Sequence, residues 1–352
     1  MENLVFKGRG AQGNVPNVFL NESYAKEHPE GIDDWEETDP KTQFTLVHPK
    51  TIVNKVNSPD VGMEYSLNPY QGCEHGCIYC YARNSHQYWG YSAGLDFETK
   101  ILVKQNSPKL FKEFLNKKSW TGTPISLSGN TDCYQPIERK FKLTQALLKI
   151  ALDYHQPISI ITKNSLILRD IELLKALASK NLCVVFISIN SLTENSRLKL
   201  EPRTVTAKQR LKVIETLTKH GIPVGIMCAP IIPGLTEHEI PNVLKAASKA
   251  GAKWAGYTIV RLNGEIGKIF KNWLLQAFPE RADKIWHQIQ SCHHGQVNDS
   301  EFVNRMKGTG NVAEIINKTF KLHCRRNNLN IDPQVLDSSL FNAKQQNQLS
   351  LF

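Results

Sequence analysis

From about residue 66 to 262, short β-branched runs alternate with longer stretches whose apolar positions recur at helical spacing. Thr123 to Leu127 predicts a strand, and Glu138 to His155 an amphipathic helix with Phe141, Ala146, Leu147 and Ile150 turned inward. Pro157 to Thr162 is the next strand, followed by a helix over Arg169 to Lys180. Leu182 to Ile189 is almost wholly apolar, as a strand buried on both faces requires. A helix over Ala207 to His220, a strand over Ile222 to Cys228, a helix over Glu237 to Ala250 and a strand over Trp254 to Leu262 complete the series. Gly221 and Gly251 fall where helix C-caps belong.

With an opening strand near Tyr65 to Tyr70, this pattern makes about six βα units, which right-handed crossovers wind into an open or closed parallel barrel. The expected fold is α/β, a partial (β/α)6 TIM-like barrel over residues 61–262. Residues 1–60 form an N-terminal wrapping segment, 263–330 a helical extension and 331–352 a flexible tail. The wrapping segment contains Gly8-Arg9-Gly10-Ala11-Gln12-Gly13, formally G-x-G-x-x-G. A dinucleotide site needs a helix opening from that motif. Asn14-Val15-Pro16-Asn17 follows instead, and the proline argues against the helix.

The chain has 352 residues, 41% hydrophobic and 22% charged, which excludes global disorder and collagen-like repeats. No apolar run reaches the roughly 18 to 20 residues that span a bilayer. The start carries no secretory signal, so a cytoplasmic protein without a membrane partner is expected. In a reducing compartment the eight cysteines read as thiols rather than disulfides. Cys133, Cys183, Cys228, Cys292 and Cys324 are scattered, whereas Cys73, Cys77 and Cys80 are packed together. Cys292-His293-His294 and Cys324-Arg325-Arg326 are left without a metal role. The formal charge of +10 permits binding to a polyanion by counterion release.

The cysteine cluster reads Gly72-Cys73-Glu74-His75-Gly76-Cys77-Ile78-Tyr79-Cys80-Tyr81, a C-x3-C-x2-C spacing. Three thiolates on one short loop can hold three irons of a [4Fe–4S] cluster and leave the fourth open. Gly72 and Gly76 let the loop curl. An open metal position marks a reactive site. The alternatives are free thiols and a Cys3His zinc site completed by His75 or His86.

The motif, with Tyr79 before its last cysteine and the loop following the first strand, resembles the radical S-adenosylmethionine (SAM) superfamily. The resemblance implies that SAM chelates the open iron and is cleaved reductively to methionine and a 5′-deoxyadenosyl radical that takes hydrogen from substrate. It also implies a low-potential electron donor such as a flavodoxin or ferredoxin. Further stretches are similar to spore photoproduct lyase and the DNA repair photolyase-like proteins. They are Ile160-Ile161-Thr162-Lys163, Phe186-Ile187-Ser188-Ile189-Asn190, Glu201-Pro202-Arg203-Thr204 and Ala229-Pro230-Ile231-Ile232-Pro233. Gly8-Arg9-Gly10-Ala11 and the stretch from Asp299 to Gly310 resemble a less characterised bacterial group within this class.

Carried over by position, the resemblance puts Lys163 and Ser188 against the amino-acid part of SAM, Thr131 in place of a SAM-binding hydroxyl, Tyr79 by the adenine and Tyr81 at the cluster. The lyase returns hydrogen from a cysteine just after its second strand, a position held here by Gly129. Cys133, with Tyr134 beside it, is the candidate donor from a shifted position. Tyr88-Trp89-Gly90-Tyr91 is a candidate platform for stacked bases. The chain ends Gln348-Leu349-Ser350-Leu351-Phe352, which resembles the bacterial sliding-clamp-binding motif; the alternative is that Leu351 and Phe352 tuck onto the protein itself. The leading expectation is a radical SAM enzyme acting on DNA. An RNA or peptide substrate, and a non-enzymatic zinc-bearing nucleic-acid module, are the alternatives.

Overall fold

A computed structural model describes residues 6–20, 41–302 and 304–342. Its strands are β1 (Gln43–Val47), β2 (Val53–Lys55), β3 (Tyr65–Leu67), β4 (Tyr70–Gln71), β5 (Lys100–Lys104), β6 (Ile125–Leu127), β7 (Ile158–Thr162), β8 (Cys183–Ser188), β9 (Val224–Met227) and β10 (Trp254–Gly256). The main sheet has the order β10-β9-β8-β7-β6-β3-β2, and a small sheet has the order β1-β5-β4. From β3 through β10 the main sheet is parallel and runs in chain order, with β2 antiparallel at its edge. Helices follow the strands, so the α/β class holds. The sheet is open among the described residues.

The middle of the sheet carries the core. Ile160 stands opposite Val185, and Val185 opposite Val224, all fully buried or nearly so. Burying each such side chain contributes about 1.5–3 kcal/mol. β8 therefore matches its apolar sequence. Gly221 and Gly251 take positive φ after their helices, as C-caps do. No helix among the described residues is long and apolar enough to cross a membrane.

Several segments differ from the sequence expectation: the opening strand near Tyr65 to Tyr70 is two, β3 in the main sheet and β4 in the small one, and β1, β2 and β5 are not among the expected strands. The helix expected over Glu138 to His155 is two, Glu138–Phe141 and Leu143–Asp153, separated by Lys142 at φ 51°. Glu138 is the reason: its buried carboxylate accepts from Thr144 N (3.0 Å) and Gln145 N (3.3 Å), satisfying the free amides of the second helix. The last strand is regular only over Trp254–Gly256, because the chain beyond it bonds to the C-terminal extension, as in Ile259 N to Met306 O (2.9 Å). Residues 332–342 are docked, not free. Trp254 Nε1 donates to Asp332 O, Asn181 Nδ2 to Val335 O and Asn342 N to Tyr154 O. Phe341 lies so close to Gly122 that a Cβ there would meet it at 2.4 Å. The pentapeptide Gln348 to Phe352 lies outside the described residues.

Helices Ile266–Ala277, Ala282–Ser291 and Gly310–Arg326 form the C-terminal extension. Cys292 and Cys324 are buried in its packing, and His293 Nε2 bonds to Val260 O (2.8 Å).

Candidate active site

Cys73, Cys77 and Cys80 are free thiols on the loop that leaves β4. Gly72 (φ 77°) and Gly76 (φ 67°) make its two left-handed turns, a conformation side chains disfavour. A Cβ on Gly72 would also press on Phe97 O at 3.0 Å. Burial pushes all three thiols above their ordinary range, and at Cys73 the charges of Asp132, Cys77 and Cys80 add to it. Three such neighbours become thiolates together only when cations compensate them, which is what metal ions do.

The ends of the parallel strands close on this loop. After β6, Asp132 accepts from Thr162 Oγ1 (2.8 Å) and from Lys163 N (2.9 Å), and it faces His75 Nδ1 at 3.4 Å. His75 Nε2 lies 3.3 Å from Asn164 Nδ2. Burial lowers the pKa of His75 despite Asp132, so the ring is neutral near pH 7. Glu201 forms a second centre. It is 1% exposed, accepts from the Tyr79 hydroxyl, pairs with Arg210 Nη2 at 2.5 Å and lies 3.9 Å from Lys163 Nζ. Burial alone would raise its pKa, but Arg210, Lys163 and the Tyr79 bond outweigh that and bring it down to about 2. Arg210 also donates to Ser188 O (2.9 Å), and Asn190 Nδ2 reaches Tyr79 Oη at 3.4 Å.

Glu201 thus ties together three residues singled out from sequence: Tyr79, Lys163 and, through Arg210, Ser188. Thr131 stands apart, its hydroxyl donating to Tyr70 O (2.8 Å). Tyr81 is 55% exposed beside Cys80 and donates to Gly129 O (2.7 Å). Cys133 and Tyr134 are fully buried in the main core, with Tyr134 Oη on Asp170 (3.1 Å) and Cys133 N on Ser128 Oγ (2.8 Å). The candidate platform divides: Tyr88 and Trp89 are exposed, with Tyr88 stacked on Phe19, while Tyr91 stacks on buried His86. Asp132, Glu201 and Arg210 were not found from sequence. Glu201 lies in the quoted Glu-Pro-Arg-Thr stretch, but nothing in the pattern signals that Arg210 is buried.

A Cβ on Gly129 would meet Ser66 Cβ at 2.7 Å. Gly129→Cys should lower stability by about 1–3 kcal/mol through overpacking. A thermal melt equal to wild type would show that Ser66 yields without cost.

The sequence pattern of the Radical SAM superfamily matches residues 67–247, which include the cysteine loop and strands β6 to β9. The chain belongs to the radical SAM superfamily. An uncharacterized protein of Mycobacterium tuberculosis is 31% identical over 238 residues, 67% of this chain and 70% of that one. An uncharacterized protein of Methanocaldococcus jannaschii is 32% identical over 245 residues, covering 70% of this chain and 87% of that one. The fold of this radical SAM enzyme is similar to spore photoproduct lyase complexed with dinucleoside spore photoproduct, with a TM-score of 0.54 at 16% identity over 85% of each chain.

The superfamily implies a [4Fe–4S] cluster and SAM, and the donor set of this radical SAM chain fits them. All three motif sulfurs are free, on one glycine-turned loop, and within electrostatic reach of one another. Among the described residues no three His, Cys, Asp or Glu side chains gather as a single ion requires. His75 is engaged with Asp132 and Asn164, and the His86 ring is packed between Tyr91 and Phe97.

Proposed function

We propose that Cys73, Cys77 and Cys80 hold a [4Fe–4S] cluster, that SAM binds beside it, and that the substrate is DNA. The observation that carries the cofactor reading is the buried network joining the cysteine loop to Lys163 through Tyr79 and Glu201. When bound, the cluster and SAM together supply a 5′-deoxyadenosyl radical. The chain's own residues bind, orient and exclude water. Lys163 offers an ammonium to the SAM carboxylate, Ser188 lines the same side, Tyr79 lies by the adenine and Tyr81 packs at the cluster. The open sheet is read as a partial (β/α)6 barrel over residues 61–262, with its site at the C-terminal strand ends.

DNA is supported by the net charge of +10 and by the fold shared with spore photoproduct lyase. We read the chemistry on DNA as different from that lyase's, because the resemblance sets Gly129 at the place of its cysteine and a side chain there would press on Ser66. Cys133 is the remaining candidate for hydrogen return. Its thiol must first leave a fully buried core position. Anaerobic assay of 5′-deoxyadenosine tests the reading. Damaged DNA should stimulate its formation in the presence of SAM and reductant, and absence of stimulation by any DNA would reject the substrate.

The tail motif adds a partner. Gln348 to Phe352 should dock on the sliding clamp, bringing the enzyme to replicating DNA. Deleting these five residues should abolish clamp binding in a pull-down and leave 5′-deoxyadenosine formation at the wild-type rate. Equal clamp binding after deletion would reject the docking.

A further inference from the structure

Arg83 and Glu98 form an ion pair in which both side chains are wholly buried. A buried pair of this kind persists when each of its polar atoms is matched. Arg83 uses its whole donor set. It bonds twice to Cys77 O (3.1 and 2.9 Å), to Ala93 O (3.3 Å), to Gly94 O (2.9 Å) and to Glu98 Oε1 (2.5 Å). Glu98 in turn accepts from Gly10 N (3.0 Å) and Ala11 N (2.8 Å). One carboxylate therefore links the cysteine loop to a segment more than sixty residues before it.

That segment is the G-x-G-x-x-G stretch, and its middle glycine, Gly10, is explained by contact. A Cβ on Gly10 would meet Gly76 O, inside the cysteine loop, at 1.9 Å. No side chain fits there. Gly13 O accepts from Leu95 N (3.0 Å) and lies 2.2 Å from where a Cβ on Gly94 would stand. Ala11 packs with Cys77, Ile78 and Tyr79. Farther on, the segment is zipped to residues 87–96. Val15 N and O both bond to Ser92 Oγ, Asn14 exchanges bonds with Asp96, and Asn17 Nδ2 reaches Gln87 O and Tyr91 O.

We propose that residues 8–17 are the outer wall of the iron–sulfur site, and that Glu98 is the positioning residue that locks this wall against Gly76 and Cys77. The wall is exposed outward at Gly8, Gly13 and Asn14. It keeps water and oxidants from the side of the cysteine loop away from the strand ends. The inference rests on the proposed cluster reading for its chemistry, but the wall itself is testable without iron.

The experiment compares wild type, Gly10→Val and Glu98→Gln. In the metal-free full chain, N-ethylmaleimide labelling of each cysteine is followed by mass spectrometry. Both variants should label Cys77 at least about tenfold faster, with Cys183 in the sheet core unchanged. After anaerobic reconstitution, iron release to a chelator should accelerate by about 10-fold to 100-fold, the usual scale for losing an outer-shell partner. Should Glu98→Gln fail to fold, Gly10→Val decides, since its side chain meets Gly76 of the loop and the Glu98 carboxylate while leaving the Arg83–Glu98 pair chemically intact. A chain lacking residues 1–17 should show the same fast labelling, reversed by adding a peptide of residues 6–17. Wild-type labelling and iron release in Gly10→Val would overturn the proposal. If wild type takes up no cluster, the cofactor reading fails, while the labelling arm still decides whether the wall exists.

Discussion

Cys77→Ala should reduce 5′-deoxyadenosine formation to the level of a protein-free control. The position is central among the three thiols, packs against Ile78, Tyr79 and Ala11, and its carbonyl accepts two bonds from Arg83. Those backbone bonds survive in the alanine variant, so the loop keeps its shape while one iron loses its ligand. The circular dichroism spectrum and melting temperature of the apo-protein should therefore change little, because a small buried side chain is exchanged for a smaller one. Loss of turnover with an intact fold is the discriminating pattern. Full turnover by the alanine variant, with iron content unchanged, would show that the cluster sits elsewhere. Removing iron from wild type by anaerobic chelation should reproduce the inactive state, and readdition of iron and sulfide should restore it.

Glu201→Ala has the second largest expected effect, and it separates two roles. Arg210 is 2% exposed and loses its carboxylate, which leaves an uncompensated buried charge at a cost of about 3–5 kcal/mol. Lys163 loses its only carboxylate within 4 Å among the described residues, and the Tyr79 hydroxyl loses its acceptor. SAM affinity should fall by about 10-fold to 100-fold, measured by calorimetry on reconstituted protein. Glu201→Gln keeps one acceptor for Arg210 but not the charge, and should recover only the hydrogen-bonding part of the stability and little of the affinity. Wild-type SAM affinity in both variants would show that Glu201 serves the fold alone. Acid titration gives an independent sign. The Glu201 pKa lies near 2 in the folded chain and near 4.3 in an unfolded one. Its stabilising contribution is then complete above about pH 5 and is lost as pH falls toward 2. Wild type should lose stability through that window more steeply than Glu201→Gln, as followed by urea melts at successive pH values.

The G-x-G-x-x-G stretch lacks the context of a dinucleotide site, yet its Gly10 is required by packing. Pro16 was sufficient to exclude a dinucleotide helix, since it cannot sit inside one. The reason for Gly10 is a carbonyl 66 residues away in the chain, and no local pattern contains it. Glu138 is similar. Periodicity ran one helix from 138 to 155 because the apolar face is continuous, whereas the observed break depends on a buried carboxylate whose Tyr70 and Arg169 partners come from other elements.

The sequence by itself determined the α/β class, the order of the parallel strands, the helix-ending glycines and the three cysteines with their spacing. These follow from periodicity, backbone conformation and ligand chemistry, which act over a few residues at a time. The tertiary structure alone decided that Glu201 gathers Tyr79, Lys163 and Arg210, that Cys133 lies in the core, that residues 332–342 are docked, and that the N-terminal segment covers the cysteine loop. Each of these depends on which distant groups meet once the chain is packed, and on the need of every buried charge for a partner.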